Sequence, residues 1–318
     1  MIQFGLIMNT WIVNDYLTCI PGTKTFWHSL LEIDDTVDKT GTPFNKLAET
    51  IENDPGECDL IIRNGTFFRP IERDCKQIVL VQDLYGYDEK QYNTVMSSDF
   101  VVFNSEYTRS EFLKNTEMSM LEVVSNKSRV IPIGVNENLF KPMANFRPAN
   151  DIFQRFKRTG IFVGDYNQTK NTRLFEQVAK ENSNLDFIYV SKARNQINLP
   201  NVRNYPGGVN EQGMLRLYNE ADFCIMCSSL ETLHLATVEA ALCDVPVIGT
   251  NTGWFADYFN ESAGVRIDGE LSVENFSKAI WQVLESSFSP REYMLTTPFT
   301  WDSCKASWEK LIEEVLNG

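Results

Sequence analysis

The chain has 318 residues, 43% hydrophobic and 12% aromatic, which is enough apolar material for two domains of ordinary size and excludes a disordered chain. A net charge of −14 argues against a non-specific grip on nucleic acid or a basic face for docking on membranes. No run of 18 or more apolar residues predicts a transmembrane helix, and seven cysteines in scattered apolar contexts suit reduced thiols in a cytoplasmic protein.

In chain order, residues 2–8 form an apolar run with no basic region ahead of it. They read as a first buried strand rather than a signal peptide. Pro21-Gly22 precedes a helix with Phe26, Leu30 and Leu31 on one face. Continuous apolar runs predict strands at 59–62, 77–81, 100–103 and 129–133, the pattern of a parallel sheet buried on both faces. Ser105 is placed to cap a helix over 106–114. A stretch with Pro142, Asn145, Pro148 and Asn150 marks a domain boundary. Beyond it, strands are expected at 160–163, 186–190, 223–226 and 245–248, and helices at 171–180, 212–220 and 232–242. A helix around 273–284, the segment Pro298-Phe-Thr-Trp301 and an amphipathic helix to 316 complete the chain. Such alternation predicts an α/β protein with right-handed crossovers.

The stretch from Cys227 to Gly249 carries the most information. A buried strand ends at Ser228-Ser229, Glu231 follows at the turn, and the predicted helix carries Glu239 eight positions on. At about 100° per residue, eight positions come to about 80° past two full turns, so the two carboxylates point in related directions. Acids at a strand's carboxyl end stand where open α/β sheets bind ligands. Other chemistries find no pattern. Cys224 and Cys227 lie within a predicted buried strand, His28 and His234 are the only histidines, and a zinc site is not expected. Asp34-Asp35-x-x-Asp38 lacks Asp-x-Asp spacing, and no Walker loop, nucleophile elbow or dinucleotide fingerprint occurs.

This cassette resembles the donor-site signature of the retaining glycosyltransferases of the GT-B fold, family 4 (glycosyl transferases group 1). There, two glutamates separated by seven residues follow a Ser-rich turn, and a helix leads into Gly-x-Pro-Val-Ile. Here Asp244 stands for that glycine and Pro246-Val-Ile is intact. Val101-Val-Phe-Asn-Ser105-Glu-Tyr-Thr-Arg109, Val130-Ile-Pro-Ile-Gly134, Phe162-Val-Gly164 with Lys170, and Phe299-Thr-Trp-Asp302 extend the resemblance from about Gln77 onward. Residues 1–75 match in outline only.

The resemblance implies two Rossmann-like domains facing a cleft: an acceptor-side domain over 1–145, a nucleotide-sugar domain over 146–297, and a terminal helix, 298–318, packing back on the first. It implies that Glu231 faces the donor sugar's hydroxyls and that Glu239 accepts from the ribose hydroxyls. Lys170 would hold the diphosphate, and Gly164 opens the donor-binding set. The arginine expected after Gly164 is Asp165, and Arg173 is placed to compensate. His234 replaces a glycine, where its imidazole would donate to phosphate or narrow the sugar pocket. Gln82 stands where the family has a histidine on the donor sugar. Val209, Leu233 and Leu235 join the donor-binding set, and Gly22 and Thr23 form an acceptor and diphosphate loop. Glu231, Lys170 and Gln82 are the catalytic candidates.

The implied activity is metal-independent transfer of a hexose, with no cofactor beyond the nucleotide sugar as co-substrate. UDP-sugar is favoured over GDP-sugar, and the acceptor is a glycan, a lipid-linked saccharide or another hydroxyl. Nucleic acid is disfavoured by the charge, with a modified base left open. The alternatives are a catalytically degenerate nucleotide-sugar-binding protein and a sugar-nucleotide epimerase of the same architecture.

Overall fold

The computed structural model describes residues 10–14, 52–53, 57–64, 70–82, 84, 89–144 and 157–317. The strand expected at 2–8, the helix after Gly22, the loop residues Gly22 and Thr23, and the linker from Asn145 to Asn150 lie outside the described residues. The chain divides into two compact units. One comprises Met1–Gly134 with Asp302–Gly318, and the other Val135–Trp301.

Five strands of the first unit form an all-parallel sheet in the order β1-β2-β3-β4-β5. They are β1 Thr10–Asn14, β2 Leu60–Asn64, β3 Lys76–Val81, β4 Phe100–Phe103 and β5 Ser128–Val130. Leu60 to Ile62 and Ile78 to Val81 are buried without interruption, which is why they read as continuous apolar runs. Helices α1 Glu89–Ser97, α2 Glu106–Lys114 and α3 Met118–Lys127 accompany the sheet. Val79, Val81, Val95, Val101, Phe103, Phe112 and Val124 form one core. Ser105 caps α2, its hydroxyl accepting from the Thr108 N–H at 3.0 Å.

The second unit holds a six-stranded parallel sheet, in which β6 Thr159–Val163 leads to helix α4 Thr172–Glu181 and β7 Asp186–Ser191. Next come β8 Val202–Pro206, α5 Glu211–Glu220, β9 Phe223–Ile225, α6 Leu235–Leu242 and β10 Val247–Thr250. The short α7 Trp254–Asp257, β11 Gly264–Ile267, α8 Val273–Glu285 and α9 Pro290–Met294 close the unit. Strand order is β11-β10-β9-β6-β7-β8. From β6 the chain winds outward through β7 and β8, then returns to the other side of β6 with β9, so winding reverses between β6 and β9. Helix α4 buries Leu174, Phe175, Val178 and Ala179 as one stripe, and Phe175 stacks on Phe162 at 4.4 Å.

Val135 bridges Thr300, and the Arg291 guanidinium donates to the carbonyls of Phe140 at 2.9 Å and Glu137 at 3.1 Å. The first and last segments of the second unit are thereby tied together. The final helix, α10 Trp301–Asn317, buries Cys304, Trp308, Leu311 and Val315 at helical spacing, and from Asp302 onward it groups with the first unit. The Cys304 thiol donates to the Pro132 carbonyl at 3.1 Å, and Arg129 pairs with Glu314.

Candidate functional site

A ligand belongs at the carboxyl edge of an open parallel sheet, at the strands between which winding reverses. Here that means the loops after β6 and β9. The β6 loop runs from Gly164 to Asn171, with the Gly164 N–H donating to the Val190 carbonyl at 2.9 Å. A Cβ on Gly164 would lie 3.3 Å from Cγ and Cδ of Lys170, so the lysine stem passes over the glycine. The Ser229 N–H joins the two loops by donating to the Thr169 carbonyl at 2.9 Å.

Lys170 Nζ lies 2.6 Å from Glu231 Oε1, and the Ser228 hydroxyl donates to the same oxygen at 2.6 Å. The Glu231 N–H donates to Thr252 Oγ1 at 2.9 Å, so the β10 loop also fixes this residue. Glu231 is 9% exposed. Burial pushes its carboxyl upward, but His234, the Lys170 ammonium and the bonds from Lys170 and Ser228 outweigh it and hold it below the usual range. Glu231 lies ahead of α6, whose first residue is Leu235, three residues later than the sequence predicts. The angular relation expected for two carboxylates on one helix therefore does not apply. A loop carries the first acid and the helix carries the second.

The cause of the late start is His234, whose backbone is left-handed, φ 70°. Family members have glycine here, the residue that takes this conformation without strain. Thr237 Oγ1 lies 3.1 Å from His234 Nδ1, donates to the His234 carbonyl at 2.9 Å and accepts from Trp254 Nε1 at 2.7 Å. Burial drives the imidazole down to about 4, so near neutrality it is an uncharged, internally bonded ring rather than a cation aimed at phosphate. Leu233 is buried, and a Cβ on Gly253 would lie 3.0 Å from its carbonyl, so β10's loop closes tightly on this turn. Leu235 opens α6 and is half-buried, at the positive end of the helix.

Glu239, on α6, accepts from the Tyr218 hydroxyl at 2.6 Å. Burial raises its carboxyl to about 7 and the Glu211 charge adds to the rise, against the pull of the Tyr218 bond and of Lys192. Val209 is half-buried just before α5 and covers it, since a Cβ on Gly213 would lie 2.3 Å from Val209 Cγ1. Burial works against the Asp165 anion, but it accepts from the Ala193 N–H at 3.1 Å and the Ser191 hydroxyl at 2.8 Å and stays below the usual range. Arg173 is exposed on the first turn of α4.

One set of elements thus brings together Gly164, Lys170, Glu231, Leu233 and His234. Gln82 follows β3 in the first unit, and Gly22 and Thr23 lie outside the described residues. Ser228, Thr252 and Tyr218 complete the polar shell without having been singled out in the sequence. Ser228 was legible as part of the turn. Thr252 and Tyr218 reach the site from other loops and helices and have no local signature. Among the described residues, no three His, Cys, Asp or Glu side chains are grouped as metal ligands, and no helix is long and apolar enough to cross a membrane.

Residues 157–295 match the family model "Glycosyl transferases group 1". No curated protein sequence matches the chain. Among solved structures, the Anabaena Alr3699/HepE complex with UDP-glucose superposes with a TM-score of 0.73 at 12% identity, covering 96% of this chain and 100% of that one. A glycosyltransferase from Rickettsia africae gives a TM-score of 0.73 at 16% identity, covering 98% and 99%. Sucrose-phosphate synthase from Thermosynechococcus elongatus gives 0.70 at 16%, covering 86% and 77%. The glycosyl transferases group 1 match lies within the second unit, and these likenesses, reaching across both units, show that the chain has the GT-B fold.

Proposed function

We propose that the chain is a retaining glycosyltransferase that moves a hexose from a nucleotide sugar, UDP-sugar ahead of GDP-sugar, to a hydroxyl of a glycan or lipid-linked acceptor. The observation that carries this reading is the Lys170–Glu231 pair, 2.6 Å apart at the point where winding reverses. Next to it stand the positive end of α6 and, farther along that helix, Glu239.

In this reading, Glu239 receives the ribose hydroxyls. Lys170 and the α6 N-terminus face the diphosphate, whose charge grows as the glycosidic bond breaks. Glu231 keeps its charge by its ties to Lys170 and Ser228, and so accepts hydrogen bonds from sugar hydroxyls as the ring gains oxocarbenium character. Acceptor hydroxyl and leaving phosphate share one face of the sugar, and the leaving phosphate takes the acceptor's proton. The reaction draws its positive charge from side chain and helix dipole, which supports metal independence and a nucleotide sugar as sole co-substrate. The HepE complexes with UDP-glucose and UDP support the preference for a UDP donor. The cysteines among the described residues are free thiols, which supports a cytoplasmic setting.

The test is Glu231→Gln. It is expected to cut kcat about 100-fold, about 2.7 kcal/mol, with UDP affinity little changed. NMR should find the product anomer matching that of the donor. An inverted anomer overturns the retaining route, and intact turnover in the variant overturns the role of Glu231. A second reading, nucleotide-sugar binding without transfer, is favoured by His234, an uncharged ring bonded internally where the family has glycine. UDP release that no acceptor accelerates would select it.

A further inference from the structure

Lys192 directly follows β7, at the same edge of the sheet as the loops after β6 and β9. The backbone around it is clamped from two sides. On one side the Ser191 hydroxyl and the Ala193 N–H donate to Asp165 Oδ1 at 2.8 and 3.1 Å. On the other, the Gly208 N–H donates to the Ser191 carbonyl at 2.8 Å and the Gly207 N–H to the Ala193 carbonyl at 3.3 Å. The side chain itself is exposed, its stem running beside Gly208, where a Cβ would lie 3.8 Å from Lys192 Cγ. Its charge acts on two carboxylates of the site, Asp165 from the β6 loop and Glu239 from α6, and draws both downward.

This arrangement gives Asp165 a task. An anion stands where the family places a phosphate-binding arginine, yet its carboxylate is turned onto the Ser191 hydroxyl and the Ala193 N–H and holds in place the residue between them. A sugar nucleotide's diphosphate carries about two negative charges, and a third develops on leaving, so a second cation beside Lys170 has work to do in the transition state. We propose that Lys192 binds the phosphate charge of the donor as the second cation of the site, with Asp165 as the positioning residue that presents it. The proposal rests on the nucleotide-sugar reading of the same site.

Calorimetric titration of the full chain with UDP, UMP and uridine, at low and high salt, tests it. Lys192→Gln is expected to weaken UDP about tenfold at low salt, to leave uridine unchanged, and to reduce the salt dependence of UDP binding. Lys192→Arg should keep most of the affinity, and melting temperatures should stay close to the parent's. Asp165→Ala removes an anion from the site, so charge alone would tighten UDP. Loss of the clamp is expected to weaken it instead. UDP affinity untouched by Lys192→Gln, an equal loss for uridine, or tighter UDP binding by Asp165→Ala overturns the role of Lys192 while leaving the donor reading in place. Failure of the parent chain to bind any of these nucleotides overturns both.

Discussion

Two carboxylates of one site are pushed in opposite directions by their neighbours. Glu231 is tied to an ammonium and a hydroxyl and held low, whereas Glu239 has a phenol as its bonded partner and is raised to about 7. The sign of the stability effect follows from linkage. Between 4.5, the ordinary value, and about 7, folded Glu239 binds more protons than the unfolded chain, so its contribution falls as pH rises through that window. Above it the cost is complete, of order 1–3 kcal/mol after allowance for the partial exposure of the side chain. Glu239→Gln should therefore gain melting temperature over the parent at pH 8 and little at pH 5. For ligand the sign is reversed, because in the proposed reading ribose hydroxyls donate to the carboxylate form. UDP affinity of the parent should rise as pH passes through about 7, and that rise should vanish in the Gln variant. A flat profile in the parent, or melting curves offset equally at both pH values, would remove Glu239 as the titrating group.

At the scale of elements, legibility followed burial on both faces. The central strands and the helices with one apolar stripe were readable, and α2, at Glu106–Lys114, was expected at the same residues. The outer strands of the second unit's sheet were not. β8, Val-Arg-Asn-Tyr-Pro, and β11, Gly-Val-Arg-Ile, lie at the two edges of their sheet and carry polar residues that break the apolar run. The glutamate cassette was readable from residue order alone, but the start of α6 was not, because a left-handed histidine gives no sign of itself in sequence. His234 at φ 70° and Asp244 at φ 63° both occupy positions where family members have glycine, and both are left-handed. The family pattern therefore encoded backbone conformation at these two residues, and this chain keeps the conformation with costlier side chains. Gly264 shows the opposite case. A Cβ there would lie 1.9 Å from the Val247 carbonyl, at φ 153°, within the register that pairs Val247 with Gly264. Gly264→Ala must part β10 from β11 and is expected to cost about 3 kcal/mol or more. A urea midpoint within error of the parent's would contradict that geometry.

At the scale of the molecule, the charged residues proposed to hold the donor belong to one of the two compact units. Lys170, Lys192, Glu231 and Glu239 lie within Val135–Trp301, and so does the region matched by the family model. That unit has what an independent fold needs. Its sheet has a core of its own around Phe162, Phe175, Phe187 and Phe223. Its first and last segments are joined by the Val135–Thr300 bridge, by the Trp301 N–H on Glu137 Oε2 at 2.9 Å, and by Arg291 on the carbonyls of Glu137 and Phe140. Gln82, the remaining catalytic candidate among the described residues, belongs to the other unit. A fragment spanning 135–301 should therefore fold cooperatively and bind UDP within a few-fold of the full chain, a factor of ten corresponding to about 1.4 kcal/mol. It should also transfer no sugar, because it lacks the unit that the proposed reading assigns to the acceptor. Circular dichroism and calorimetry on the fragment check both halves of the expectation. A folded fragment that ignores UDP would mean that the donor site needs residues of the first unit. A fragment that transfers sugar would mean that the second unit binds acceptor as well as donor.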